Sequence, residues 1–422
     1  MSTWAWAHIF GRSEAATRGF SVLCGALAAA VFANLVRRRL APAEAIVATS
    51  VFLLAPLLQY YLAEARGYTL TLLLTAICIE AFEQLWEQPD RRSAYIIYGA
   101  ITGALFLTSY FGAVMIGAHW LLWLARLRGP GRKRRIIGWM IAQAIIAACL
   151  APWLTSLLYQ LRAADVMTQH SPITPSTIST LAGTAMLGYP LVAPLTLAWG
   201  IPATIGWVLA AVGLRLPATP AAQGRLLSLR TLGLPLLSLA ALVVVTHAIH
   251  PRYTITLLPG IAVAVAVGYS ELRRSLPRLA FALLALLIAG MLLSRGLRQM
   301  QPVEQFWPEL TAIVAEQART EEDVVLFMPP WDQRVFEYYY AGPALPLIGA
   351  HHYDDFYYIQ GHDIKTTWTQ DGAVAVTGGY RRVWYFANSR HWEGQPLTLP
   401  YRQIGHWQKE WLELSLYEVP VP

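Results

Sequence analysis

Charge is what this 422-residue sequence has least of: Asp, Glu, Lys and Arg together make up 14% of it, against about a quarter in an ordinary soluble chain. With 56% hydrophobic residues and a mean hydropathy of +0.42, that scarcity excludes a soluble globular protein. The shortage is also local, because long windows without a charged residue fill 19–300 while charges crowd 302–422. A membrane part over 1–300 and a soluble part over 301–422 follow. Cysteine is scarce too. Cys24, Cys78 and Cys149 all fall in apolar runs, so the soluble part has no thiol for a disulfide or a cysteine metal site. A cleavable leader is missing: Met1 runs into Trp4, Trp6 and Phe10 without a basic segment, an apolar run or a small-residue cleavage site. Internal repeats and low-complexity tracts are absent as well.

The net charge of +7 does not signal nucleic acid, because the basic residues stand in short clusters between apolar runs, a pattern of membrane topology. A span needs about 20 mainly apolar residues. Ten stretches qualify: 19–36, 43–62, 67–86, 94–109, 111–127, 136–157, 191–213, 231–249, 253–271 and 279–295. Every second connection is basic, carrying Arg37 to Arg39, Arg91 and Arg92, the group from Arg126 to Arg135, then Arg215, Arg225 and Arg230, and last Arg273, Arg274 and Arg278. The alternate connections hold chiefly Arg66, Arg162 and Arg252. The basic set is therefore cytoplasmic, and both termini lie outside. Residues 301–422 become an exported domain of an inner-membrane protein. Within it TEEDVVLFMP reads as a turn and a buried strand, and WDQRVFEYYYAG as a helix. LPLIGA, RRVWYFANS and WLELSLYEV read as further strands, together a small α/β layer.

Polar chemistry is nearly absent from the span centres, which hold His119 and Gln143; a transport pathway would place ionisable groups there. Glu80, Glu83 and Glu271 lie near cytoplasmic ends, within reach of water. The outer ends differ. Glu64, Arg66 and Tyr68 share one turn, and His250, Arg252 and Tyr253 share another. Tyrosines at that depth suit the headgroup level. Arg66 and Arg252 oppose the usual charge bias, and arginine suits bidentate capture of phosphate, so these two are the candidate donor-phosphate ligands, with Glu64, Tyr68, His250 and Tyr253 in support. Glu64 reads as the partner that holds Arg66.

From these residues a family resemblance emerges. IFGRSEAATR (9–18), YYLAEARGYTL (60–70), LTSYFGAV (107–114), APWLTSL (151–157) and HPRYTITLLPG (250–260) resemble, in order and spacing, the polyprenyl-phosphate-sugar-dependent glycosyltransferases of the GT-C fold, specifically glycosyltransferase family 39 and its bacterial relatives. The resemblance implies a polytopic helical bundle with an outward-facing site and a small soluble α/β domain. It implies transfer of a sugar, with inversion, from a polyprenyl-phosphate donor to an extracytoplasmic lipid, glycan or protein acceptor. In that family pattern a first span, an acidic pair and a His-Pro-Pro-Leu-like segment precede the motif found here at 9–18, and the resemblance places the general base in that stretch. Glu14 and Asp165 are the weak substitutes in this sequence; Asp165 lies in the loop 158–190, where such enzymes cover the site. The alternative reading is the same scaffold binding lipid-linked sugar or a partner subunit without transfer. No firm cofactor is implied, and a divalent metal is an open option. In the soluble part His351, His352, Asp354, Asp355, His362 and Asp363 match no recurrent zinc or calcium spacing and read as a solvated loop.

Overall fold

The computed structural model describes residues 2–11, 13–64, 66–125, 132–156, 158, 174–188, 196–215, 223–246, 251–299, 306–329, 332–350, 365–367, 370–389 and 397–420. They fall into two compact units, one drawn from residues up to 301 and the other from 302 onward.

The first unit is helical, and its chain is an integral membrane protein. Its helices are α1 Ser2–Phe10, α2 Glu14–Arg39, α3 Pro42–Leu54, α4 Pro56–Ala63, α5 Tyr68–Glu87, α6 Arg92–Thr108, α7 Ala113–Ala125, α8 Arg132–Leu150, α9 Pro175–Leu187, α10 Thr196–Gly213, α11 Gln223–Ser228, α12 Leu234–Thr246, α13 Leu258–Ser275 and α14 Pro277–Gln299. The ends of α2 show why its run folds as one long helix. Ser13 caps it by accepting from the Ala16 amide at 3.2 Å, Glu14 sits in the first turn, and Arg37, Arg38 and Arg39 fill the last, so both ends complement the macrodipole. Pro56 cannot donate to the preceding turn, and there α3 and α4 bend apart by 44°.

Among the described residues six segments are long and apolar enough to cross a membrane: Glu14–Arg39, Tyr68–Glu87, Arg132–Ser156, Gln223–Val244, Arg252–Ser275 and Pro277–Leu297. The α3–α4 pair makes a seventh if it is one bent span. Ten were expected from the sequence. In the other three places stand α6, with 17 residues, and the shorter apolar helices Tyr110–Ala125 and Trp199–Gly213. The run from 94 to 127 is divided at Ser109, whose backbone is extended (φ −155°, ψ 124°). Seventeen residues rise only about 26 Å, less than the roughly 30 Å of a hydrocarbon core.

The bundle closes around α13, whose residues 258–268 are buried on every side, as expected of a helix apolar all round. α10 crosses it closely. A Cβ at Gly213 would strike the Ala264 carbonyl, and one at Gly268 the Leu209 carbonyl, so glycine sets the approach of the two backbones. The mid-span polar groups are absorbed by packing. His119 Nδ1 lies 3.0 Å from the Tyr98 hydroxyl, its ring stacks on Phe82 at 3.9 Å, and Trp120 donates to Gln143 Oε1 at 3.2 Å.

Among its described residues the second unit contains a six-stranded sheet: β1 Asp323–Met328, β2 Leu347–Ala350, β3 Lys365–Thr367, β4 Arg382–Asn388, β5 Arg402–Lys409 and β6 Leu412–Glu418. Their order is β3-β2-β1-β4-β6-β5. The first four run parallel, and β6 and β5 join antiparallel. The central strands β1 and β4 are buried on both faces, which is why DVVLFM and RVWYFAN read as continuous apolar runs. One face packs Val324, Leu326, Val383 and Tyr385; the other packs Val325, Phe327, Trp384 and Phe386 against Trp307, Leu310 and Val314 of α15 (Phe306–Gln317). The strands expected from LPLIGA and WLELSLYEV are β2 and β6. β5 had no sequence signal, because this edge strand is largely exposed and polar.

Candidate functional site

Helix direction assigns the two ends of the bundle. α2 and α5 run antiparallel. The C-terminal Arg39 of α2 meets Glu80 at 2.7 Å and Glu87 at 3.0 Å, near the end of α5. The start of α2 meets the turn before α5, where the Ser21 hydroxyl donates to the Glu64 carbonyl at 2.6 Å and to the Arg66 carbonyl at 3.3 Å. Twenty helical residues separate Tyr68 from Glu87, about 30 Å along the axis.

At the basic end the buried arginines are consumed. Arg230 forks onto Glu83 at 2.7 and 2.8 Å, Arg39 Nε stands 3.8 Å from the same carboxylate, and Arg225 meets Glu271 at 2.6 Å. A π-helical turn, Leu229–Gly233, carries Arg230; such bulges re-aim side chains. Here the sequence reading needs correction. Glu83 does not reach water but is buried to 2% exposure, and Glu80 keeps only a small exposed edge on a cavity, because a carboxylate inside a bundle is tolerated when arginines satisfy it.

At the opposite end the five motifs gather. Trp6 of α1 donates to the Ala16 carbonyl at 2.7 Å, fixing the 9–18 turn against α2. Ser21 then holds the 60–70 turn. The Trp153 indole donates to the Tyr110 hydroxyl at 2.8 Å, joining the motif at 151 to that at 107. Phe111 stacks on Tyr253 with centroids 3.4 Å apart, joining both to the motif at 250. The 3-10 segment Pro251–Leu257 packs on α5 and α9.

Within this end Arg252 donates to the Tyr253 hydroxyl at 3.4 Å, and the Tyr68 hydroxyl is a further partner of the guanidinium. The Tyr68 ring leans on buried Tyr61 at 4.4 Å. The sequence-predicted Arg252, Tyr253 and Tyr68 are thus brought together. Arg66, two residues from Tyr68, is 63% exposed, with its Nε 3.8 Å from Glu64 Oε2. That oxygen is buried and accepts no hydrogen bond from the described residues. Glu64 is therefore more than a brace for Arg66: it keeps an acceptor atom in reserve. Glu14 is placed differently, as a half-exposed side chain in the first turn of α2, 3.4 Å from Arg18. Asp165 and His250 lie outside the described residues, as does the cluster from His351 to Asp363. Among the described residues no group of three or more His, Cys, Asp or Glu is arranged to hold a metal ion. Ser21 is the positioning residue that sequence reading missed; one serine in an apolar run carries no signal until its neighbour is known.

Residues 2–156 match the family of dolichyl-phosphate-mannose-protein mannosyltransferases. The whole chain is similar in structure to ArnT from Cupriavidus metallidurans in the apo state, with a TM-score of 0.63 and 14% identity over 98% of this chain and 86% of that one. The same protein bound to undecaprenyl phosphate gives a TM-score of 0.57 with the same identity and coverage. The Archaeoglobus fulgidus oligosaccharyltransferase complex with zinc and sulfate gives 0.53 at 14% identity, over 91% of this chain and 58% of that one. No curated protein matches the sequence. At such identities the structural likeness speaks for the fold, and the family match adds a signature over the first helices. The chain is a polytopic membrane protein of the GT-C glycosyltransferase fold that carries, over residues 2–156, the sequence signature of the dolichyl-phosphate-mannose-protein mannosyltransferases.

Proposed function

We propose that the chain transfers a sugar from a polyprenyl-phosphate donor to an acceptor hydroxyl on the outer side of the membrane. The observation that carries this reading is the gathering of all five motifs at the end of the bundle opposite the buried ion pairs, with Arg252 partnered by Tyr68 and Tyr253 and the exposed Arg66 two residues along the chain from Tyr68. A lipid phosphate needs cations at the membrane surface, and an arginine fork supplies them without taking up a proton. That structurally similar ArnT binds undecaprenyl phosphate supports the same class of donor.

In this reading the acceptor oxygen attacks the anomeric carbon as the bond from that carbon to the phosphate oxygen breaks. The departing phosphate gains negative charge, which Arg66 and Arg252 stabilise. The acceptor hydroxyl loses its proton to Glu64 Oε2, the buried oxygen that accepts no hydrogen bond. Tyr68 and Tyr253 orient the Arg252 guanidinium. In this reading residues 301–422 face the extracytoplasmic compartment, which the alternation of basic connections supports.

The test is reconstitution of the purified chain in proteoliposomes with polyprenyl-phosphate sugars and membrane acceptors. Transfer of labelled sugar is expected. Tight donor binding with no transfer to any acceptor would replace this reading by that of a lipid-sugar binding protein. Sidedness is checked by labelling Ser176→Cys and Ser275→Cys from outside intact cells. The first should react and the second should not; the reverse pattern would invert the assignment.

A further inference from the structure

The basic end of the bundle holds a cavity of about 310 Å³ between the last turns of α2 and α5 and the first turns of α6. Three arginines line it, Arg38, Arg39 and Arg91, against two carboxylates, Glu80 and Glu87, leaving one positive charge in excess. The carboxylates are already engaged. Arg39 meets Glu80 at 2.7 Å and Glu87 at 3.0 Å, and Gln84 donates to Glu80 at 2.8 Å. Arg38 is 55% exposed and only 3.6 Å from Glu80, while Arg91 gives one N–H to the Ser93 hydroxyl at 3.0 Å. A guanidinium carries five N–H donors, so Arg38 and Arg91 both have donors left for a ligand.

The other wall is apolar. Ile97 lines the cavity and, like neighbouring Ile96, keeps about half of its surface exposed, 50% and 51%. The cavity thus offers two arginine forks at the helix ends and, deeper along α6, the apolar side chains of Ala94 and half-exposed Ile97. A free anion would use the first feature and not the second. A phosphodiester with acyl chains would use both, its headgroup at the interface and a chain along α6.

We infer that this cavity is a binding site for an anionic phospholipid, whose phosphate is held by Arg38 and Arg91 and whose acyl chain lies along Ile97. It is separate from the proposed transfer site at the other end and does not depend on that reading. Arg39 takes no part in holding the lipid, because it is spent on Glu80 and Glu87; it closes the inner wall and keeps the two carboxylates from repelling the phosphate.

The test uses the detergent-purified full chain and titrates phosphatidylglycerol, phosphatidylcholine, glycerol phosphate and inorganic phosphate, reading bound lipid by native mass spectrometry and melting temperature in parallel. Phosphatidylglycerol should bind and raise the melting temperature, while the other three should not. The double variant Arg38→Gln/Arg91→Gln should lose at least about tenfold in phosphatidylglycerol affinity, and the double lysine variant should retain part of it. Arg402→Gln, in the sheet unit, should leave it unchanged. Should the glutamine variant fail to fold, alanine at Ser93, which frees rather than removes an Arg91 donor, should leave binding intact or improve it. Equal binding of phosphatidylcholine, a full effect from inorganic phosphate alone, or undiminished binding by the folded double glutamine variant would each overturn the inference.

Discussion

Arg39 and Arg66 stand at opposite ends of α2, and their surroundings differ in kind. Arg39 is 10% exposed and sits among three carboxylates, whereas Arg66 is 63% exposed with one carboxylate at 3.8 Å. The same contrast separates Arg230, forked onto buried Glu83, from Arg252, which bonds a tyrosine hydroxyl. A charge neutralised inside the bundle holds helices together and has nothing left for a ligand. A charge left largely exposed, as Arg66 is, contributes little to stability and can serve a ligand. Buried and exposed arginines therefore divide the labour between fold and ligand, and the contrast can be attacked from either end of the bundle.

The largest effect should come from the reserve carboxylate at the mouth. Glu64→Gln removes the proposed base while keeping shape, and should cut turnover by about a hundred- to ten-thousand-fold with donor affinity nearly unchanged. Turnover within a few fold of the parent would reassign the base. Next is the consumed end. Glu83→Ala strands Arg230 without its partner in a buried site, and breaking such a pair costs about 3–5 kcal/mol. A melting curve in detergent should show it, and a shift too small to resolve would mean that the network is not what holds α5 to the π-helical turn.

A third prediction concerns the sheet unit, where a carboxylate is buried with no cation paired to it among the described residues. Asp332 is 3% exposed, and burial pushes its carboxyl up from 3.8 to about 6, the hydrogen bond from Asn388 recovering only part. A raised carboxyl binds its proton more tightly folded than unfolded. Stability is therefore unpenalised below about pH 4, falls as pH rises from about 4 to about 6, and stays lowered above that, by up to about 3 kcal/mol. Asp332→Asn should relieve that penalty at pH 7 and have almost no effect at pH 4. Amide hydrogen exchange across β1 and β4 in the full chain would report it; equal effects at both pH values would show that Asp332 ionises freely.

How far the sequence could be read follows the same division. Hydropathy and the alternation of basic connections located the helices, since burial in lipid demands apolar runs whatever the packing. They overcounted full-length spans, because three apolar runs fold as helices of 17 residues or fewer, α6, Tyr110–Ala125 and Trp199–Gly213, and composition does not show where a helix stops. Buried strands β1 and β4 were legible for the opposite reason to β5: both faces of the first two are covered, and those of β5 are not. At the site, Arg66 and Arg252 stood out by violating charge bias, and the structure brings Arg252 to Tyr68. The reserve on Glu64 was hidden, because an unoccupied acceptor oxygen is a property of the surroundings and not of the residue. Glu83 was misread as water-facing because its partner, Arg230, lies far along the chain.

The claim that the two ends differ in what arginine does is tested most directly by one binding measurement on four variants. Arg66→Gln, Arg252→Gln, Arg38→Gln and Arg91→Gln are titrated with one polyprenyl-phosphate sugar under identical conditions. The account predicts that the first two lose donor affinity by about tenfold each and the last two bind as the parent does. Parent-like binding by both Arg66→Gln and Arg252→Gln, or equal losses at both ends, would contradict it.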